Sequence, residues 1–223
     1  MTPLATLTLA SAAFVGSHFA MSHPLRAALV GRLGERGFLG VYSLISFATL
    51  GWMVIAFRAA HPGAPFLWDA GNAGWIVGTL LLWLGSILFV GSFRRNPAFP
   101  TGGAPMTHAS TPVGVFHITR HPMLWGFALW AVTHTIVAPT APGLVLAAAI
   151  GILALGGAAG QDAKKERLVG QPWREWEART SFVPFGRGFA SPGAFALLVG
   201  TALFLFATFA HGAIGAGPWR WLG

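Results

Sequence analysis

Long apolar runs separated by short basic segments constrain the fold of this chain more than any other feature. Six runs approach or reach the roughly 20 apolar residues that a helix needs to cross a bilayer, at positions 3–22, 38–57, 74–93, 123–138, 142–160 and 193–215. Their hydrophobicity is continuous rather than alternating, which predicts helices and not the strands of a closed barrel. Charged residues make up only 9% of the chain, against about 25% in soluble domains. We therefore predict an all-α, polytopic transmembrane helical bundle of about six spans, forming a single domain over residues 1–223.

The distribution of basic residues predicts the orientation of this bundle. Twelve of the 14 Lys and Arg residues lie in the connectors 23–37, 94–122 and 161–192. Because connectors rich in Lys and Arg stay on the cytoplasmic side, both termini are predicted to lie outside. The net charge of +8 then reflects topology and contact with anionic lipid rather than nucleic-acid binding. The chain has no cysteine, which excludes disulfides and thiolate ligands.

The segments between the spans carry further signals. The link 139–141 is so short that the fourth and fifth spans must form an antiparallel hairpin. The amphipathic segment 23–37 suits a short interfacial helix, and the segment 94–116, rich in Pro, Gly, Ser and Thr, suits an irregular loop. Leu168, Trp173 and Trp176 share one helical face, which favours a helix lying on the bilayer, with the tryptophans at its inner interface. Recurring glycines within the spans favour close helix packing.

Two histidines, His18 and His134, lie inside apolar runs. An ionisable side chain in hydrocarbon is costly and is by default a candidate functional residue. No Asp or Glu lies in these runs to pair with them, and a neutral imidazole is a good metal ligand. Two histidines are too few for a closed zinc site, but they complete a six-coordinate haem. The alternative is that each ring bonds a backbone carbonyl of a neighbouring helix.

The depths of these two histidines differ in the predicted bundle. By the helical rise, His18 lies about 12 Å before Arg26, the basic residue that follows its span. His134 lies about 21 Å after Arg120, the basic residue that precedes its span. Tilt of the helices is needed to bring the two rings to one iron.

A second candidate site lies where the fourth span enters the membrane. Arg120, His121 and Pro122 stand together there. Proline suits a first helical turn, the free N–H groups of that turn favour an anion, and Arg120 adds a planar donor for carboxylate or phosphate. These residues suit a haem propionate or a polar substrate. The alternative is that Arg120 and His121 only anchor the helix at the lipid headgroups.

Taken together, the motifs resemble the NnrU family. The resemblance covers most of the chain and rests on the segments GSHF at 16–19, LGERGF at 33–38, YSL at 42–44, ITRHP at 118–122 with the run to His134, and RTS and VPF at 179–185. It implies a multi-pass protein of the bacterial inner membrane, associated with denitrification and nitric oxide metabolism. The family is similar to 15-cis-ζ-carotene isomerase, a membrane enzyme with a b-type haem. That similarity implies haem ligation by His18 and His134, and an apolar polyene as a substrate class.

One position departs from the isomerase pattern. The isomerase has a cysteine three residues before its second haem histidine, and this chain has Ala131 there. A more remote similarity is to isoprenylcysteine and phospholipid methyltransferases, through Arg120, His121 and Glu166. It implies, as the alternative function, an S-adenosylmethionine-dependent methyltransferase of a lipid-like substrate. No catalytic residue is predicted on either reading, and whether the chain is an enzyme stays open.

Overall fold

The structure is a computed structural model that describes residues 1–98, 111–212 and Trp219. Within those residues the regular secondary structure is helical, and the connecting segments contain one isolated bridge between Phe66 and Thr140. Its elements are α1 (Pro3–Ser22), α2 (Arg26–Ala60), α3 (Gly71–Gly91), a 3₁₀ turn (Gly114–His117), α4 (Pro122–Val137), α5 (Ala141–Val169), α6 (Gln171–Arg179) and α7 (Ala194–Gly212).

Five of these helices, α1, α2, α3, α5 and α7, are long and apolar enough to cross a membrane. Helix α4 is a shorter apolar helix of 16 residues, about 24 Å long by the helical rise. The prediction of a polytopic helical membrane bundle is confirmed. Below, the end of the bundle predicted to face the cytoplasm is called the inner end, and the opposite end the outer end. Part of the predicted loop 94–116 and the last three residues of the predicted sixth span lie outside the described residues.

Two helices extend beyond the predicted apolar runs. Helix α2 begins at Arg26 rather than at residue 38, and Gly34 interrupts it with a φ of 68° and a ψ of 169°. Side chains disfavour that backbone region, so glycine allows the kink. The segment predicted as a short interfacial helix is thus a helical arm in front of the span. Helix α5 continues past residue 160 to Val169, which carries its last two turns beyond the predicted membrane segment.

The spans pack in the order α2, α1, α5, α4, α3, α7, each against the next. Glycines lie at the closest approaches. A Cβ atom on Gly126 of α4 would be 2.9 Å from the carbonyl oxygen of Gly85 in α3. A Cβ atom on Gly200 of α7 would be 2.5 Å from the Cα atom of Ile87 in α3. Small residues therefore serve close helix contact here, as expected for helices that associate in lipid.

The predicted hairpin of α4 and α5 is confirmed. Helix α4 ends at Val137 and α5 begins at Ala141. Between them, Thr140 caps α5 by accepting a hydrogen bond from the N–H of Gly143 at 3.1 Å. This cap replaces one of the hydrogen bonds that a helix N-terminus lacks, and it lets the chain reverse within three residues.

At the inner end, α6 folds back onto the bundle. Trp173 and Trp176 are 0% and 1% exposed, and they join Phe116 and Ile118 in a buried apolar cluster. The prediction that these tryptophans lie at the membrane interface was wrong. Their helical face packs against the 3₁₀ turn and the ends of α3 and α7 rather than against lipid, while Leu168, predicted on the same face, is exposed.

Candidate functional site

A largely apolar cavity lies toward the outer end, between α2, α3, α4, α5 and α7. Its volume of about 490 Å³ falls in the range of roughly 300–1,000 Å³ typical of small-molecule sites. Aromatic and aliphatic side chains dominate the lining, and three histidines from three helices join them: His61, His134 and His211. The cavity is not fully enclosed by the described helices.

His134 presents one free ring nitrogen at this cavity. Its Nδ1 atom lies 2.8 Å from the carbonyl oxygen of Trp130, one turn earlier in α4. A carbonyl only accepts hydrogen bonds, so Nδ1 carries the hydrogen. In the neutral ring Nε2 then keeps its lone pair. The indole of Trp130 stacks on the imidazole, with ring centroids 3.9 Å apart, which fixes the ring plane. This is the tautomer and support that a metal-ligating histidine requires.

His18 has the same backbone bond but a different place in the bundle. Its Nδ1 atom lies 2.7 Å from the carbonyl oxygen of Phe14, and the rings of Phe14 and Tyr42 lie 4.4 and 5.4 Å from its own. His18 is not among the residues that line the cavity. Both histidines therefore donate a hydrogen bond to a carbonyl of their own helix. The alternative predicted from the sequence, a bond to a neighbouring helix, is not what the structure shows.

Contacts with α5 give the depth of each ring. Phe19 of α1 faces Gly156, and Ala131 of α4 faces Gly151. His18 is thus level with about residue 155 of α5 and His134 with about residue 148, an axial offset of about 10 Å. The structure does not bring these two predicted ligands into one described contact.

The other predicted site residues, Arg120 and His121, lie at the inner end of α4. Arg120 donates from Nε to Asp162 Oδ2 at 2.8 Å, and a second guanidinium nitrogen lies 2.7 Å from the same oxygen. The His121 side chain is fully buried, with Nδ1 3.1 Å from Gln161 Oε1. Its Nε2 lies 2.9 Å from Asp162 Oδ1, close but not aligned as a hydrogen bond. Both residues therefore bind α5 of the same chain.

A second carboxylate completes this inner cluster. Glu177 of α6 lies 3.8 Å from an Arg120 nitrogen. Burial, together with a hydrogen bond to Glu166, raises the pKa of Glu177 to about 7. The cluster joins α4, α5 and α6. Arg120 also stacks over the ring of Phe182, 5.4 Å from its centroid, and so reaches the segment after α6.

The structure thus places the predicted site residues in three locations: His134 at the outer cavity, Arg120 and His121 in the inner cluster, and His18 outside both. Arg120 and His121 precede His134 by 14 and 13 residues, or about 20 Å of helix, and they are engaged with Asp162 and Gln161. Several residues of these sites were not predicted from the sequence, among them Asp162 in the inner cluster and His211 in the cavity.

Comparison with known proteins supports one assignment. The family model described as NnrU protein matches residues 6–218. No curated protein and no solved structure is significantly similar to the chain. Because the family match spans nearly the whole chain and agrees with a helical membrane bundle, this protein belongs to the NnrU family.

Proposed function

We propose that this NnrU-family protein binds a b-type haem within the bacterial inner membrane, with His134 as an iron ligand in the outer cavity. The observation that carries the proposal is the state of His134: its Nδ1 is tied to the Trp130 carbonyl, and its Nε2 is left free beside the cavity. When bound, the haem would supply an iron that can exchange an electron or bind a small ligand such as nitric oxide.

The donor set and the cavity fit this group. Neutral imidazole is a common axial ligand of haem iron, and Trp130 holds the ring of His134 in one orientation. The lining is largely apolar, which suits a porphyrin face and excludes water from the iron. Within the described residues no three His or acidic side chains are placed to hold a metal ion. A porphyrin, which supplies four equatorial nitrogens itself, needs no such trio.

The resemblance to 15-cis-ζ-carotene isomerase names His18 as the second ligand. The His18 ring also has its Nδ1 bonded to a backbone carbonyl. In the neutral ring this leaves the lone pair on Nε2, which supports this role. Its axial offset of about 10 Å from His134 and its place outside the cavity lining weigh against it. His18 stays a prediction that the haem spectrum of a variant tests directly.

The resemblances support two physiological uses of such a site. One is nitric oxide and denitrification metabolism, the association of the NnrU family. The other is cis–trans isomerisation of an apolar polyene, the activity of the similar isomerase. The largely apolar cavity between the spans suits an apolar substrate or ligand. In either use, the contribution of the chain is to hold the imidazole neutral and oriented, and to keep water away.

Absorption spectroscopy of the purified protein tests this proposal. The protein, expressed with adequate haem supply and purified in mild detergent, should show a Soret band and a b-type pyridine haemochrome. His134→Ala should reduce bound haem at least tenfold or change its spin state. His117→Ala is the matched control, since His117 is exposed in the 3₁₀ turn. A colourless wild-type protein, or an unchanged spectrum in His134→Ala, would overturn the proposal.

The alternative of an S-adenosylmethionine-dependent methyltransferase has less support. It needs Arg120, His121 and Glu166 to face a cofactor. His121 is fully buried, and Arg120 is held by Asp162, so neither is free for a ligand in this arrangement. Titration calorimetry with S-adenosylmethionine on the same preparation tests this alternative.

A further inference from the structure

His211, an exposed residue near the end of α7, is a second imidazole that lines the outer cavity. Its Nδ1 lies 2.7 Å from the carbonyl oxygen of Ala207, one turn earlier in α7. By the argument used for His134, Nδ1 carries the hydrogen and Nε2 keeps a free lone pair. Phe204, Thr208 and His211 all line the cavity, and their spacing of four and three residues places them on one face of α7. That face is the one turned to the cavity.

The packing of α3 against both neighbours gives the depth of His211. Gly126 of α4 faces Gly85, and Gly200 of α7 faces Ile87. His134 lies eight residues outward from Gly126, and His211 lies eleven residues outward from Gly200. Both are therefore level with residues 76–77 of α3, and their axial offset is only about 2 Å.

We propose that His134 and His211 form the ligand pair of this cavity, so that the haem is held between α4 and α7. The inference rests on the proposed function and changes its second ligand. The pair shares one cavity and one depth, whereas His18 lies outside the lining and about 10 Å lower.

This pair would give α7 a second attachment to the bundle. Helix α7 packs against α3, and in the described residues its main contacts are with that one span. A ligand from α7 and a ligand from α4 on one iron would link helices that α3 separates. Binding of haem would then protect α7 from local opening, since a group that binds only the closed form stabilises it.

The spin state of the haem distinguishes the two ligand pairs. Wild-type protein should be six-coordinate and low-spin by absorption and electron paramagnetic resonance. His211→Ala should become high-spin and five-coordinate, and added imidazole should restore the low-spin signal. His211→Met should stay six-coordinate with a raised reduction potential, as expected for a His/Met pair. His18→Ala tests the rival pair and should keep the low-spin spectrum, and His117→Ala, at an exposed position of the 3₁₀ turn, is the control.

The other possible outcomes contradict either the His134–His211 ligand pair alone or haem binding as well. If His18→Ala loses the low-spin signal and both His211 variants keep the wild-type spectrum and potential, the ligand pair is wrong while haem binding at His134 stands. A wild-type protein that is already five-coordinate also overturns the pair. If the wild-type protein binds no haem, both proposals fail. Protease sensitivity of α7 with and without haem gives a readout that does not depend on activity, and equal sensitivity would contradict the pair.

Discussion

Replacing Asp162 with asparagine should remove the main partner of a buried guanidinium. Asp162 Oδ2 lies 2.7 and 2.8 Å from two nitrogens of Arg120, and the two side chains are 12% and 14% exposed. Removing one partner of a buried ion pair costs about 3–5 kcal/mol. We expect a loss near the lower limit, about 3 kcal/mol, because Glu177 lies 3.8 Å from Arg120 and remains as a second carboxylate.

The free energy of unfolding can be measured in mixed micelles, with dodecyl sulfate as the denaturant and tryptophan fluorescence as the signal. Glu175→Gln is the matched control. Its pair with Arg179 spans 3.9 Å on one face of α6, and both side chains are about half exposed. An exposed pair of this kind contributes about 0.5 kcal/mol or less. The two substitutions remove the same charge, so the difference between them reports burial.

A double substitution sharpens the test. Asp162→Leu together with Arg120→Met removes both charges of the closest pair. Replacement of a whole buried pair by apolar residues is often close to neutral, so the double variant should be more stable than Asp162→Asn. The reasoning is refuted if Asp162→Asn lowers the free energy of unfolding no more than Glu175→Gln does. It is also refuted if the double variant loses as much stability as Asp162→Leu and Arg120→Met lose separately, added together.

Three further predictions concern packing, pH and capping. Gly200→Ala should lower the free energy of unfolding by about 1–3 kcal/mol, because the new Cβ would lie 2.5 Å from the Ile87 Cα atom. Gly157→Ala is its control and should be neutral or stabilising, because a Cβ there would meet open space. Burial raises the pKa of Glu177 to about 7 from its ordinary 4.5, so between these values the folded protein holds a proton that the unfolded chain releases. The Glu177 contribution to stability should therefore fall as pH rises from about 4.5 to 7, and the decrease should be smaller in Glu177→Gln. Thr140→Ala removes the cap of α5 and should cost about 1 kcal/mol in the same unfolding assay.

Hydrophobicity predicted the positions and order of the apolar helices but not where the helices end. The apolar run of the fifth span stops near residue 160, while α5 continues to Val169. The reason is that Lys164, Lys165 and Glu166 are good helix formers, so leaving the bilayer does not end a helix. A stop signal was nonetheless present: Gly170, with a φ of 73°, follows the last helical turn, as glycine commonly does at helix ends.

The role of Trp173 and Trp176 could not be read from their spacing. An amphipathic helix looks the same in sequence whether its apolar face meets lipid or protein. What decides is the partner surface, here Phe116 and Ile118 of the segment around the 3₁₀ turn. That surface is formed by residues distant in sequence from α6. Nothing in the sequence near Trp173 and Trp176 therefore indicated that they pack against protein rather than lie at the membrane interface.

The two residues missed at the candidate sites differ in how far the sequence could have revealed them. Arg120 precedes Thr140, the centre of the α4–α5 hairpin, by 20 residues, so an antiparallel register places its partner near residue 160. Asp162 is two residues away from that position, and it is the acidic residue that the hairpin brings to Arg120. His211 has no such register, because a long connection precedes α7 and its depth is set by the contact of Gly200 with Ile87. A short loop fixes the alignment of the two helices that it joins, so that alignment can be counted from the sequence. The alignment of a helix after a long connection is determined only by packing. The ion pair at one end of α4 was therefore within reach of sequence reasoning, and the proposed ligand pair at the other end needed the folded bundle.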